Sequence, residues 1–191
     1  MVLGLTGRYC AGKDTAARAL AARGYRVIDA DALAHDALAE QAEKVFAAFG
    51  QGVQAPGGGV DRRALGRIVF GDDAARERLE AIIHPPVVQK IKQMLAAPGD
   101  AVINAPLLHK AGLHALCNAV LFVRAPALIR LIRAMRRDSL SLRDAIARLS
   151  SQRDVRPQSN GPAVDTYNVP NWGSARALER RIARLDRRLR G

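Results

Sequence analysis

Long apolar runs and aromatic side chains are both scarce in this chain of 191 residues. No run reaches the roughly 18 apolar residues that a spanning helix needs, so the sequence predicts no membrane partner. Four Phe, three Tyr and one Trp are too few for a base-stacking platform, which argues against nucleic-acid binding. The first residues carry no basic region ahead of an apolar stretch, so we expect no signal peptide.

Cysteine is nearly absent as well. Cys10 and Cys117 lie far apart and have no metal-ligand residues at a recognisable spacing, which predicts a reduced chain in the cytoplasm. Cys10 falls in a glycine-rich segment, where a helix N-terminus would lower its thiol pKa and support a redox role. The alternative, which we favour, is a small loop residue that is partly buried.

Lysine is the third scarcity. The net charge of +12 comes mostly from arginine, with 25 Arg against 5 Lys. One interpretation of this positive charge is an anionic partner. A polyphosphate ligand would be such a partner, so neither nucleic acid nor a membrane is required. Compositional bias is the other, because the chain is also rich in Ala and Gly.

Short apolar runs separated by helical sequence predict a doubly wound α/β fold with a parallel sheet of five strands flanked by helices. The expected strands are 2–6, 25–28, 101–103, 119–123 and the weaker 166–169. Ligands of such sheets bind beyond the carboxyl ends of the strands, so one crevice there should collect the functional residues.

The stretch between the second and third strands is too long for one crossover helix. It predicts helices over 31–49, 61–70 and 73–96 around a turn-rich stretch at 50–59. Asp61 should cap a helix that turns Leu65, Ile68 and Val69 inward. We therefore predict a helical substrate region over 31–96, and a nucleotide-binding core over 1–30, 97–124 and 153–191.

A helical hairpin over 126–135 and 141–152 predicts a small lid at 125–152, with Ser141 and Asp144 at capping-box-like spacing. A last helix over 174–190 repeats apolar residues at helical spacing. An amphipathic helix that packs on the sheet is favoured there over a membrane-surface or RNA-binding helix. For Arg130, Arg133 and Arg136 we predict a solvated helix face.

Residues 7–14 nearly match the phosphate-binding loop pattern G-x-x-x-x-G-K-[ST]. The loop follows a strand and precedes a helix, so its backbone N–H groups and the helix N-terminus should bind nucleotide phosphates. The residues expected to do so are Gly7, Arg8, Tyr9, Cys10, Ala11, Gly12, Lys13, Asp14 and Thr15. Asp14 replaces the hydroxyl residue that normally ligates Mg²⁺. A carboxylate is also a magnesium ligand, so our hypothesis keeps Asp14 at the metal, directly or through water.

Two carboxylates, Asp29 and Asp31, follow the second strand. Alternate residues of a strand share a face, so both are expected in the crevice, where phosphoryl transfer needs a group to accept the hydroxyl proton. The alternative is that Asp31 caps the next helix.

Taken together, the blocks of this sequence resemble the dephospho-CoA kinase family over nearly the whole chain. Gly-Leu-Thr-Gly and Ala-Gly-Lys precede Val-Ile-Asp-Ala-Asp-Ala-Leu-Ala-His at 27–35. The family's order continues with Asp-Arg-Arg-Ala-Leu-Gly-Arg-Ile-Val-Phe at 61–70, Leu-Glu-Ala-Ile-Ile-His-Pro-Pro-Val at 79–87 and Asn-Ala-Pro-Leu-Leu at 104–108. Arginines up to Arg137, Arg148 to Gln152, and Asn-Trp-Gly at 171–173 complete it.

The resemblance implies phosphorylation of the ribose 3′-hydroxyl of dephospho-CoA by ATP with Mg²⁺, the last step of CoA biosynthesis. Asp31 would be the catalytic base, Lys13 would act on the phosphates, and Arg137 and Arg148 would be lid arginines that close on them. Asn171 would lie near the adenine. The substrate would be bound by Asp29, Asp31, Arg62, His84, Pro106 and Leu107. His84 would serve the turn into Pro85 or the substrate site.

The chain departs from the family at Asp14, at Asn104 in place of an Asp, at His109-Lys110 and at Pro170. We hypothesise that the carboxylate gained at Asp14 compensates for the one lost at Asn104. Two alternative functions stay open: a related nucleoside or nucleotide kinase, and a non-catalytic nucleotide-binding paralogue. We expect a monomer or a weak homo-oligomer.

Overall fold

A computed structural model describes residues 1–150 and 164–191. They form two compact units, one of residues 1–28 with 98–191 and one of residues 29–97. The last two residues of the predicted helix 141–152, including Gln152, lie outside the described residues. The first residues of the predicted core segment 153–191 also lie outside them. Within the described part, no helix is long and apolar enough to cross a membrane.

The sheet has five strands in the order β2-β3-β1-β4-β5. They are β1 (Val2–Gly7), β2 (Arg26–Asp29), β3 (Ala101–Asn104), β4 (Ala119–Arg124) and β5 (Asp165–Pro170). β1 is paired in parallel with β3 and with β4, and β4 with β5. All five predicted strands are confirmed, with ends that differ by one residue.

The central strands are buried on both faces, which explains why their sequences are continuous apolar runs. Leu3, Leu5 and Val102 are fully buried. Helices α1 (Lys13–Ala21) and α8 (Ala175–Arg190) pack together and join this core. Each large aliphatic side chain buried in this way contributes roughly 1.5–3 kcal/mol.

The last helix, α8, packs on the core as predicted. Leu178 and Ile182 are fully buried, and Leu185 and Leu189 pack against the same cluster. The apolar stripe is thus a packing face, and the arginines between its members lie on the other sides of the helix.

A buried carboxylate on α8 was not predicted. Asp186 accepts hydrogen bonds from the Tyr25 hydroxyl (2.6 Å), Arg23 Nε (2.5 Å) and Arg190 Nε (2.8 Å), and its side chain is 1% exposed. Burial raises the pKa of Asp186, but these three hydrogen bonds outweigh it and hold the pKa below its ordinary value. Burial and the adjacent carboxylate raise the pKa of Tyr25, which keeps its hydroxyl a donor.

The second unit is helical. It contains α2 (Ala30–Glu40), α3 (Ala42–Phe49), α4 (Arg62–Gly71) and α5 (Asp73–Leu95). Asp61 caps α4 as predicted, since its Oδ1 accepts from the backbone N–H groups of Arg63 (2.8 Å) and Ala64 (3.1 Å). Leu65 lies in a core with Val45 and Phe46, and Val69 packs against it.

One predicted core residue of the second unit is wrong. Ile68 is 40% exposed, because the apolar cluster covers only the face of α4 that carries Leu65 and Val69. A helix turns 100° per residue, so the side chain of Ile68 points about 100° away from that of Val69 and lies beside the covered face.

The lid segment belongs to the first unit and forms α6 (Ala127–Asp138) and α7 (Leu142–Ser150). The Ser141 hydroxyl accepts from the Asp144 N–H (3.2 Å) and donates to its carboxylate (2.6 Å), as the capping-box-like spacing predicts. Ala134 of α6 and Ala145 of α7 are fully buried against Cys10, which fixes the two helices to the glycine-rich loop.

Replacing Asp186 by Asn should lower the free energy of unfolding at pH 7 by about 2 kcal/mol, because the hydrogen bonds from Arg23, Tyr25 and Arg190 lose their buried charged acceptor. The pKa of Asp186 is depressed in the fold, so its stabilisation is present above about pH 4 and is lost as the pH falls through the folded pKa. The difference from wild type should therefore shrink in acid. Urea unfolding at pH 7 and pH 3 measures it, with the exposed Glu179→Gln as control. Equal loss at both pH values would contradict the charge argument.

Candidate active site

The glycine-rich loop connects β1 to α1, and two of its glycines are required by close contacts. A Cβ on Gly12 would lie 2.2 Å from Asn171 Nδ2, and Gly12 has a φ of +102°. A Cβ on Gly7 would lie 2.6 Å from the carbonyl oxygen of Val123. Only glycine permits both approaches, so the loop is held against the ends of β4 and β5.

The start of α1 is an anion-binding end. Gly12 is its N-cap, and among the described residues no side chain caps it. The first N–H groups of a helix lack intrahelical partners, and the helix dipole is positive there. The preceding turn is closed by the Ala11 N–H, which donates to the Arg8 carbonyl at 2.9 Å. This is the geometry of a phosphate-binding loop.

The loop lysine is held by the third strand. Lys13 Nζ donates to Asn104 Oδ1 at 3.1 Å, and Asn104 is 7% exposed. The Thr6 hydroxyl donates to the Pro106 carbonyl at 3.0 Å, which fixes the segment after β3 beside the end of β1. Leu107, the next residue, is 44% exposed.

The closing loop after β5 supports the phosphate loop. Asn171 is 4% exposed; its Nδ2 donates to the Ala11 carbonyl at 2.7 Å, and its backbone N–H donates to the Arg124 carbonyl at 2.6 Å. The amide of Asn171 therefore fixes the loop backbone. Trp172 follows with 60% of its surface exposed.

Both predicted lid arginines lie at the loop. The guanidinium carbons of Arg137 and Arg148 lie 5.2 Å and 5.3 Å from the centre of the Tyr9 ring, at cation–π distance. The Tyr9 hydroxyl donates to Asp138, which also accepts from Arg137 Nε at 2.9 Å. These contacts lock α6 and α7 onto the loop.

The unusual Asp14 faces the lid. Its side chain is 64% exposed, and Oδ2 lies 3.7 Å from Arg137 Nη1. In the described residues, no group of three or more His, Cys, Asp or Glu side chains is placed to hold a metal. Mg²⁺ is commonly bound by one or two carboxylates together with substrate phosphates. The exposed carboxylate of Asp14 fits such a site, and its role at the metal stays a prediction.

The predicted solvated arginine face of α6 is wrong at two of three positions. Arg133 Nη1 donates to the carbonyls of Cys10 (3.5 Å) and Ala11 (3.4 Å), and Arg130 is only 5% exposed. Arg136 is exposed as expected. Arginines occupy both faces of α6, so their spacing carries no signal of which face meets the loop.

Cys10 is a packed loop residue with a φ of +58° and 8% exposure. Burial raises its pKa, and this outweighs the lowering by Arg137, Arg133 and Arg130. A raised thiol pKa disfavours the redox role.

In the second unit, Asp29 and Asp31 have different positions. Asp29 ends β2 and caps α2, because its Oδ1 accepts from the N–H groups of Asp31 (3.0 Å) and Ala32 (3.2 Å). Asp31 lies in the first turn of α2. The expectation that both share a strand face is therefore wrong, and so is the alternative that Asp31 caps the helix.

Two predicted substrate residues of this unit lie on separate helices. Arg62 begins α4 and is hydrogen-bonded to His35 of α2. His84 lies inside α5, which continues through Pro85 and Pro86, so the predicted turn at His84 is wrong.

Comparison with known proteins identifies the family of this chain. A family model described as dephospho-CoA kinase matches residues 1–162. The chain belongs to the dephospho-CoA kinase family. A dephospho-CoA kinase of Anaeromyxobacter dehalogenans is 42% identical, covering 100% of this chain and 92% of the relative. One of Geobacter sulfurreducens is 38% identical over 96% of both.

Solved structures show the same fold. A Thermus thermophilus protein has a TM-score of 0.81 at 33% identity, and the match covers 100% of this chain and 98% of the Thermus chain. A dephospho-CoA kinase from Campylobacter jejuni has a TM-score of 0.60 at 25% identity, with 98% and 96% covered. The five-stranded parallel sheet flanked by helices is thus the fold of P-loop kinases, including dephospho-CoA kinases.

Replacing Gly12 by Ala should weaken ATP binding at least tenfold. The new Cβ collides with Asn171 and forces the chain from a left-handed φ, a strain of roughly 1–3 kcal/mol. Isothermal titration calorimetry with ATP measures the loss. Gly57→Ala is the control, since nothing lies within 4 Å of that Cβ. Unchanged ATP affinity in Gly12→Ala would contradict the close approach.

Proposed function

We propose that this protein transfers the γ-phosphoryl group of ATP to the ribose 3′-hydroxyl of dephospho-CoA and so forms CoA, the last step of CoA biosynthesis. The observation that carries the proposal is the match to the dephospho-CoA kinase family over residues 1–162, which includes both the phosphate loop and the helical unit 29–97. The names of the curated relatives support the same activity.

The phosphate loop binds the donor in this proposal. Backbone N–H groups between Gly7 and Lys13 donate to the phosphates, and Lys13, held by Asn104, neutralises charge on the β- and γ-phosphates. Phosphoryl transfer needs positioning and charge stabilisation more than covalent help. Asn171, which we also propose to lie near the adenine, acts as a positioning residue, because its amide donates to the Ala11 carbonyl and fixes the loop backbone.

Asp31 accepts the proton of the acceptor hydroxyl. Its position in the first turn of α2 depends on Asp29, whose carboxylate is occupied by the N–H groups of Asp31 and Ala32. We therefore assign Asp29 a positioning role. Arg62 and His84, with Pro106 and Leu107 after β3, remain the proposed substrate-binding residues.

Arg137 and Arg148 bind the phosphates during transfer. Guanidinium groups suit this role because they remain charged and donate to several oxygens at once. Asp14 would hold Mg²⁺ together with the phosphates, and the bound ion would supply charge neutralisation on the transferred phosphoryl group. We also propose that the enzyme acts in the cytoplasm as a monomer or weak homo-oligomer, without nucleic acid or membrane.

One assay tests the activity. Purified protein is incubated with ATP, Mg²⁺ and either dephospho-CoA or a panel of nucleosides, and the product is identified by mass spectrometry and NMR. We expect CoA with phosphate on the 3′-oxygen. Turnover on nucleosides alone would indicate a related kinase instead, and tight ATP binding without turnover a non-catalytic paralogue.

Replacing Asp31 by Asn should lower kcat by roughly 10²–10⁴-fold, the range for loss of a general base, with KM for ATP little changed. Asp36→Asn, an exposed carboxylate on the same helix, is the matched control. Steady-state kinetics of CoA formation distinguish the two. A kcat in Asp31→Asn equal to that of the control would exclude Asp31 as the base.

The compensation between Asp14 and Asn104 has its own test. Asn104→Asp alone places a carboxylate at Lys13, and Asp14→Ser alone removes one of the two acidic partners of Arg137. The double variant should retain more activity than either single variant, with a coupling energy of about 1 kcal/mol. Strictly additive losses in kcat/KM would contradict the hypothesis.

A further inference from the structure

Arg130 has an environment that the fold alone does not explain. It is 5% exposed, and its Nε and Nη1 atoms have no hydrogen-bond partner among residues 1–150 and 164–191. An arginine stays protonated inside proteins. Burying such a charge without an acceptor is strongly unfavourable, so the unpaired donors call for an anion that is not part of the described chain.

Arg130 lies on the face of α6 that packs against the phosphate loop. Arg130 and Ala134 are the buried residues of α6, and they lie one turn apart on the same helix face. Ala134 packs against Cys10 of the loop. Arg133, beside this face, donates to the carbonyls of Cys10 and Ala11. The face that carries Arg130 is therefore the face that contacts the loop.

A second positive charge, that of Arg8, acts on Arg130. Burial lowers the pKa of its guanidinium, and the charge of Arg8 in the loop lowers it further, while Cys10 raises it. A second cation close to an unpaired guanidinium is tolerated where an anion binds between them. The loop and the uncapped start of α1 already form an anion-binding end.

Two neighbouring arginines of α6 have partners. Arg137 meets the carboxylates of Asp14 and Asp138, and Arg133 meets two carbonyl oxygens. Arg130 differs from them, because its Nε and Nη1 donors are buried and have no partner among the described residues. This arrangement is preorganised, because no contact of Nε or Nη1 has to be broken before a ligand binds.

We propose that Arg130 is a further phosphate-binding residue, whose Nε–H and Nη1–H donate to a phosphate oxygen of the nucleotide held in the loop. The proposal rests on the function proposed above and adds a donor that the phosphate loop and the predicted lid pair, Arg137 and Arg148, do not include. It has a consequence for stability. The free protein carries an unpaired buried charge at Arg130, and the bound nucleotide relieves it.

Arg130→Met tests both consequences in the full chain. It removes the charge and keeps an unbranched apolar side chain. We expect ADP and inorganic tripolyphosphate to bind tenfold to a hundredfold more weakly, as for loss of hydrogen bonds from a charged donor. We expect the melting temperature of the ligand-free protein to rise. Arg130→Lys keeps the charge, so its ADP affinity should lie between those of the wild type and Arg130→Met. Arg136→Met, an exposed arginine of the same helix, should change neither property.

Calorimetry measures the affinities, and thermal unfolding with and without ADP measures stability. Weaker binding together with a lower melting temperature, or failure of Arg130→Met to fold, would overturn the proposal, because a structural arginine has that signature. Unchanged ADP affinity would also overturn it. Wild-type protein that binds ADP but forms no CoA would refute the proposed function and leave the assignment of Arg130 intact. Wild-type protein that binds neither ADP nor tripolyphosphate would overturn both.

Discussion

The close approach of Asn171 to the phosphate loop is the contact on which the site depends. The Asn171 amide holds the Ala11 carbonyl, and Gly12 leaves room for it by lacking a Cβ. Because Asn171 follows β5 and its N–H meets the last residue of β4, the parallel register of the sheet is transmitted to the loop. The five-stranded sheet thus sets the direction of the loop N–H groups that are proposed to bind phosphate.

Much of the fold follows from sequence because apolar patterning controls it. Buried strands in a parallel sheet have continuous apolar sequences, and β1 and β4 show them clearly. The stripe on α8 is equally visible, since Leu178 and Ile182 are separated by one helical turn. The glycine-rich loop is also predictable, because its spacing reflects a backbone path that other residues cannot follow.

The roles of polar side chains were harder to predict, because several residues of one type could fill the same role. Asp29 and Asp31 both have the chemistry of a helix cap, and only the point where β2 ends assigns it to Asp29. Arg130, Arg133 and Arg136 are indistinguishable in a sequence with 25 arginines. Asp186 becomes a buried anchor through partners at Arg23 and Tyr25, more than 160 residues away. Such long-range pairing has no local signal.

The ion pair between Asp14 and Arg137 would compete with phosphate for the Arg137 guanidinium. In the ligand-free protein, the Asp14 carboxylate occupies the guanidinium that would otherwise meet phosphate. Under the proposed function, nucleotide binding exchanges one anion for another at Arg137. The net electrostatic gain from that residue is smaller than the full attraction between arginine and phosphate. Because both partners are largely exposed, dissolved salt screens the internal pair and releases the arginine. Dissolved salt would screen a pair between this arginine and phosphate as well, so ionic strength weakens both alternatives.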